Sequence, residues 1–366
     1  MATNLSPRRS LSRYALMLVS LLTLVGILSG CGVSSVAGPS HPSGSTPTST
    51  PTQALKGTIR EIPLPANFYP RDITTGPDGN LWIAGNPIGR ITPTGVIREF
   101  PLPANSFAIR ITTGPDGNLW FIEADKVGRI TPAGTISEFP LPSSILAPNS
   151  CGPYTLCGDI TTGPDHALWF TEPGTAVQNG KIWRITTAGT ISAFPLPDPQ
   201  SHPTGITTGS DGNLWFVGYT GNNVPRGMIW RITPKGTISA FPTFGFFSSD
   251  ITAGSDGNLW FDAADLDGFN NQIGRITPSG KISEFPVPNR LSYVNGITAG
   301  PDGNIWFTED TDNHSQNGKI GRITLTGTIS EFPLPTPRGG PVAITGGPDG
   351  TIWFIEANSH QIGHLV

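Results

Sequence analysis

Carboxylates recur at one fixed place in this chain. Glu123, Glu172, Glu309 and Glu356 each stand three residues after a tryptophan: Trp120, Trp169, Trp306 and Trp353. His314 and His360 follow the last two of these glutamates within the same kind of loop. A pair of carboxylates with an imidazole could hold a divalent cation or take a proton from a substrate. On that chemistry Glu309 and Glu356 are candidate metal ligands, and His314 and His360 are candidate bases. Asp262, Asp265 and Asp267 crowd a corresponding stretch, and His202 precedes another repeat. The simpler expectation for these groups is a solvated loop rim, because residue types coincide here without forming a motif. A second set comprises Arg71, Asp72, Arg110, Asp159, Asp250 and Asn295, each one or two residues before an Ile-Thr pair. These are the candidate ligand-binding residues. Three aspartates could attract a cation, although a balancing of charge by Arg110 is the plainer reading.

Those positions are fixed by a repeat. Tryptophans at 82, 120, 169, 215, 260, 306 and 353 are separated by 38, 49, 46, 45, 46 and 47 residues. Strand-like units recurring at about 40–50 residues read as propeller blades, here seven. Each copy carries four short β-rich segments: x-Ile-Thr, Leu-Trp-Phe, Ile-Gly-Arg-Ile-Thr and Thr-Ile-Ser-Glu-Phe-Pro-Leu-Pro. Turns such as Gly-Pro-Asp-Gly separate them, with glycine at the position of positive φ. Proline cannot donate to a ladder, so the fourth segment is expected at the outer edge and the first at the axis. The predicted fold is an all-β, seven-bladed propeller of four-stranded antiparallel blades. The tryptophans are expected in its core, each burying roughly 150–250 Å².

Two details test the register. Blades 1, 2, 5, 6 and 7 carry glycine in the third strand (Gly89, Gly128, Gly274, Gly321, Gly363) and glutamate in the fourth (Glu99, Glu138, Glu284, Glu331 and Glu61). Blades 3 and 4 carry Trp183 with Ala193 and Trp230 with Ala240. A large residue arrives only where its neighbour shrinks, as facing cross-strand positions require. The seventh blade also lacks a fourth strand, since the sequence ends at Val366. Residues 57–65 supply the missing segment and are expected to close the ring.

Residues 1–30 read as a signal peptide. Arg8, Arg9 and Arg13 precede an apolar run that ends Leu28-Ser29-Gly30-Cys31. That ending looks like a bacterial lipobox, which implies a lipid on Cys31 and an exported chain anchored to the outer side of a membrane. Residues 31–56 are a Ser/Thr/Pro-rich tether, and 57–366 form the propeller. A disulfide is expected between Cys151 and Cys157 outside the cytoplasm. Net charge of −4 and 13% charged residues give no basic surface for nucleic acid. A monomer is expected.

In a four-stranded meander, the second-to-third-strand loop and the blade-to-blade connection share one face. That face carries all the length variation, so a small molecule or protein partner is expected there, near the axis. The six Arg residues of the third strands (Arg90, Arg129, Arg184, Arg231, Arg275, Arg322) are read as structural, because one site needs no six copies.

The repeat, over nearly all of residues 57–366, resembles the streptogramin B lyases (virginiamycin B lyases). The resemblance implies a seven-bladed propeller and Mg-dependent elimination at the ester of a cyclic depsipeptide antibiotic. The family's enzymes carry His directly before the small residue that precedes Ile-Thr in the last two blades, and Glu two places before the final one. Matching positions here are Asn295 and Gly340-Pro341-Val342, so both His and that Glu are missing. A second family Glu corresponds to Glu356 with a shift of about one residue. The expectation is therefore a lipid-anchored relative that binds a ligand or partner without the family's chemistry. A lyase with a relocated base and Mg is the alternative, and a structural surface module the third.

Overall fold

The computed structural model of the chain describes residues 57–103, 106–142, 158–174, 179–221, 226–243, 246–265, 271–289, 292–311 and 318–366. They belong to a compact unit, Pro51–Val366. Residues 1–56, expected to hold a signal peptide, the lipidated Cys31 and a tether, lie outside the described residues, as do Cys151, Cys157, Asp267 and His314.

Seven sheets follow one another, each an antiparallel meander of the expected kind. Blade 1 runs Asp72–Thr75, Leu81–Ala84, Ile88–Ile91, Ile97–Phe100. The innermost strand of each blade touches that of the next, and the inner strand of blade 7 (Pro341–Gly346) touches that of blade 1, so the ring closes. Blade 7 takes its outer strand from Ile59–Pro63, which pairs with Gln361–Leu365.

The register agrees with the cross-strand argument. Gly128 faces Glu138 and Gly363 faces Glu61, whereas Trp183 faces Ala193 and Trp230 faces Ala240. The glycine is needed for space. A Cβ on Gly128 would sit 2.0 Å from the ring of Phe121. In blade 4 the phenylalanine instead stacks on the new tryptophan, Phe216 on Trp230 at 5.3 Å.

Each blade shares one cluster built from its turn outward. All seven repeat tryptophans are fully buried. Their indole N–H donates to the turn aspartate, as Trp120 does to Asp116 at 2.9 Å. An outer-strand phenylalanine of the same blade stacks on the tryptophan in blades 1 to 6, as Phe139 does on Trp120. The recurrent arginine lies over that ring and pairs with the same aspartate, Arg129 with Asp116 at 3.6 Å. Arg129 Nη1 also donates to Thr187 O in the next blade. Blade 7 replaces the arginine by His364, which stacks on Trp353 and reaches Asp349 at 3.2 Å.

Blades are also stitched near the axis. The hydroxyls of Thr75, Thr113, Thr162 and Thr208 each donate to a carbonyl of the preceding blade, at 2.6–2.7 Å. Blades 5 and 6 carry Ala253 and Ala299 at that position. There the preceding turn has serine in place of proline. Ser210 donates to Gly257 O and Ser255 to Gly303 O, both at 2.8 Å. The bonds lost at Ala253 and Ala299 are thus made from the other side of the same interface; blade 7 carries Gly346 there.

Candidate ligand site at the axial mouth

Inner strands in blades 4, 6 and 7 are longer than x-Ile-Thr suggests: Ser201–Thr208, Ser292–Ala299 and Pro341–Gly346. Each has a register shift, between Pro203 and Ile206, Val294 and Ile297, and Pro341 and Ile344. In blade 5 the irregularity splits the edge into Phe246–Phe247 and Ile251–Ala253, both paired with Leu259–Asp265. A bulge re-aims side chains and leaves backbone N–H groups off the ladder. Second-strand side chains satisfy those groups. Asp262 accepts from the N–H of Ser249 and of Asp250, at 2.9 and 2.7 Å. Thr308 Oγ1 accepts from Gly296 N at 2.9 Å.

The re-aimed residues meet at the mouth of the axial channel. A cavity of about 250 Å³ is lined by Arg71, Asp72, Arg110, Asp159, Asp250 and Asn295, together with Val342 and neighbouring backbone. All six residues of the sequence-based set are therefore brought together. By strand direction this mouth is on the variable-loop face.

The three aspartates have a structural task as well. Asp72 accepts from its own strand at Ile73 N and from blade 2 at Ile111 N, both at 2.9 Å. Asp159 reaches Ile206 N in blade 4 at 3.1 Å, and Asp250 reaches Ile297 N in blade 6 at 2.9 Å. Arg110 stands 4.0 Å from Asp159. This single pair does not balance the mouth. Burial pushes Asp159 up to about 7, and the nearby Asp250 adds to it. Burial likewise pushes Asp250 up to about 7, with Asp262 adding. Asp159 keeps 21% of its side-chain surface, so burial here means enclosure by the surrounding blades with one side open to the cavity. Asp72 is raised by burial, against the pull of Arg110. Asp262, beneath Asp250, is pushed up to about 6 by burial.

The glutamates contradict the expected loop rim. Glu123, Glu172, Glu309 and Glu356 are buried at 2% exposure or less. They lie at or just past the second strands, and in blades 2, 3 and 6 a neighbouring lysine draws them in. Lys126 lies 3.6 Å from Glu123 and 3.1 Å from Glu138. Lys319 lies 3.8 Å from Glu309 and 2.6 Å from Glu331, and Lys181 lies 3.4 Å from Glu172. The signal was in the sequence. Glutamate occurs with lysine in blades 2, 3 and 6. Blades 1, 4 and 5 have neither, carrying Gly85 with Pro87, Gly218 with Met228 and Ala263 with Gln272. Blade 7 breaks the rule, for Glu356 faces Gln361. Glu356 is pushed up to about 7 by burial and then by Glu61, against a hydrogen bond from Ser359. Glu309 is pushed up to about 7 by burial and Glu331, against Ser292 and Lys319.

The two candidate metal ligands thus sit within separate blades, and the ammonium of Lys319 occupies the approach to Glu309. Among the described residues no group of three or more His, Cys, Asp or Glu is disposed to hold a metal ion. His360 adopts φ 53° and packs edge-on against Tyr69. It is not part of the cavity lining. His202 lies within the inner strand of blade 4 and stacks on Tyr219 at 4.6 Å.

The chain matches the virginiamycin B lyase family over residues 52–150 and 227–366. A solved streptogramin B lyase is 34% identical with a TM-score of 0.69, the match covering 84% of this chain and 97% of that one. Virginiamycin B lyase from Staphylococcus aureus is 37% identical with a TM-score of 0.69, over 84% of this chain and 99% of that one. A catalytically inactive variant of the Staphylococcus aureus lyase, solved with quinupristin, is 36% identical with the same TM-score and coverage. No match is found among curated proteins.

Proposed function

Because the chain belongs to the virginiamycin B lyase family, we propose that it is an exported, lipid-anchored member that holds a small polar ligand at the axial mouth without opening a depsipeptide ring. The observation that carries this reading is the convergence of three aspartates, two arginines and Asn295 on one cavity. Ligand sites are concave and use a few convergent polar groups of fixed direction. Here the direction is fixed by bulges and by Asp262, so the mouth is pre-formed.

The positions that match the family's catalytic residues support the same reading. Asn295 and Val342 line this cavity. Neither side chain takes up a proton near neutral pH, and Asn295 Nδ2 donates to Pro341 O at 3.1 Å. Gly340, at the position matching the family's Glu, has φ 64°. A glutamate would occupy that left-handed backbone only with strain. The mouth keeps the family's place for a ligand and replaces its proton-transfer groups by neutral ones. Signal peptide, lipobox and tether supply the exported, anchored location.

Thermal-shift titration with small charged molecules tests the binding site. A ligand that raises the melting temperature of the purified chain should lose its effect in Arg110→Gln. Ligands whose shifts are indifferent to Arg110 would overturn the placement at the mouth.

A second reading is a Mg-dependent carbon–oxygen lyase with a relocated base. It is favoured by the likeness to the lyase structure holding quinupristin. His360→Ala would then abolish ring opening, whereas under the first reading it leaves ligand binding at the mouth unchanged.

A further inference from the structure

We infer that the axial mouth takes a short zwitterion, laid across the channel with its anionic end on Arg71 and its cationic end on Asp250. The inference rests on the mouth being a ligand site, as proposed above, and names the chemical class of the ligand.

Its ground is the way charge is left over once the residues are paired within the protein. Arg71 extends over the ring of Phe107 at 5.1 Å, and its Nη1 is buried without a hydrogen-bond partner. Among the described residues it forms no ion pair. Its guanidinium pKa is lowered by burial and by Arg110, and no carboxylate opposes that shift. On the other side Asp250 accepts two backbone N–H groups, one at each oxygen. Among the described residues it too has no ion-pair partner, and the Asp262 carboxyl lies behind it. Arg110 makes its ion pair with Asp159, on blade 3, and its pull on Asp250 is outweighed by burial and Asp262.

Position in the ring turns this into a span. Arg71 belongs to blade 1 and Asp250 to blade 5. In a ring of seven, no blade is further round from blade 1 than blades 4 and 5. The arginine and the aspartate left without an ion pair among the described residues therefore stand on opposite sides of the axis. An anion alone would meet three aspartates, and a cation alone would leave Arg71 buried and unpaired. Unpaired charge in an enclosed site is costly. A molecule with one charge of each sign satisfies both walls. Asn295 adds a neutral acceptor, its Oδ1, beside the cationic end, because its Nδ2 is already committed to Pro341 O. The cavity of about 250 Å³ corresponds to about eight waters of liquid volume. That suits a molecule the size of a dipeptide or an ω-amino acid.

Calorimetric titration of the purified chain with glycylglycine, γ-aminobutyrate and ε-aminocaproate tests this. At least one should bind. Its N-acetyl form and its carboxamide form should each bind about tenfold more weakly or worse, the loss of one charge-assisted contact. In Arg71→Gln the acid and its amide should bind alike. In Asp250→Asn the amine and its N-acetyl form should bind alike. Each comparison is made within one protein, so a general loss of stability does not imitate the result, and Arg71→Gln decides alone if Asp250→Asn does not fold. If the amide binds as well as the free zwitterion and Asp250→Asn abolishes both, the mouth is a cation site; the zwitterion is then wrong and the site stands. Binding indifferent to both substitutions lies elsewhere and overturns both. No binding of any of the three overturns the zwitterion, and the Arg110→Gln thermal-shift experiment then decides the site independently.

Discussion

Glu356 is the residue at which the repeat departs from its own rule. In blades 2, 3 and 6 a buried glutamate has a lysine for its cross-strand neighbour, and in blade 7 it has Gln361 and a second carboxyl, Glu61. Burial, and then the nearby Glu61 carboxyl, favour the protonated form of Glu356. The raised pKa sets the sign: stability from Glu356 is full below the usual 4.5 and is lost as pH rises through about 7. Gln361→Lys should place an ammonium where Lys126 and Lys319 stand. It should stabilise the protein by about 1–2 kcal/mol at pH 8 and by little at pH 5, as read by denaturant unfolding. An equal gain at both pH values would refute a protonated Glu356. What was legible at this scale followed from cross-strand geometry. Gly with Glu and Trp with Ala were readable because volume must be conserved at facing positions. The burial of Glu309 and Glu356 was not read, because charge normally marks a surface; Lys319 tells otherwise for Glu309, and for Glu356 no such partner exists among the described residues.

Elements carry the next level. The four-strand pattern, the outer position of the Pro-Leu-Pro segment and the closing role of residues 57–65 were legible, since each follows from a backbone donor or an open edge. The bulges in blades 4, 6 and 7 and the split edge of blade 5 were not, because Thr204-Gly205, Asn295-Gly296 and Val342-Ala343 have no common side-chain signature. Their supports are scattered among second strands as Asp262 and Thr308. The inner strands thus seemed shorter than they are, and His202 was placed in a connection. The stitching between blades gives a prediction at this scale. Ser210 replaces the bond that Ala253 cannot make. Ser210→Ala should cost about 1 kcal/mol. The cost should shrink when Ala253→Thr is present, because the threonine can donate to the carbonyl of Thr208. Two independent, additive effects in that double-mutant cycle would contradict the compensation.

At the scale of the whole molecule, enclosed carboxyls dominate the response to pH. Asp159, Asp250, Glu309 and Glu356 are raised to about 7 and Asp262 to about 6. Each contributes stability below the usual 3.8 or 4.5 that is lost as pH rises through its folded value. Asp116 is lowered by hydrogen bonds from Asn118 and Trp120 that outweigh burial, so it acts only below about pH 4. His364, lowered by burial, works in the opposite direction. One imidazole against five carboxyls leaves a clear sign. The melting temperature should fall between pH 5 and pH 8, and a rise over that interval would contradict the enclosed charges.

The proposal that joins these scales is that the mouth is a ligand site with Asn295 and Val342 where the family's proton-transfer groups would stand. Quinupristin incubated with the purified chain and Mg, then separated by chromatography with mass detection, tests it most directly. The account predicts that the cyclic compound is recovered at the rate of a protein-free control. A linear isomer of unchanged mass, formed faster than in that control, would contradict it.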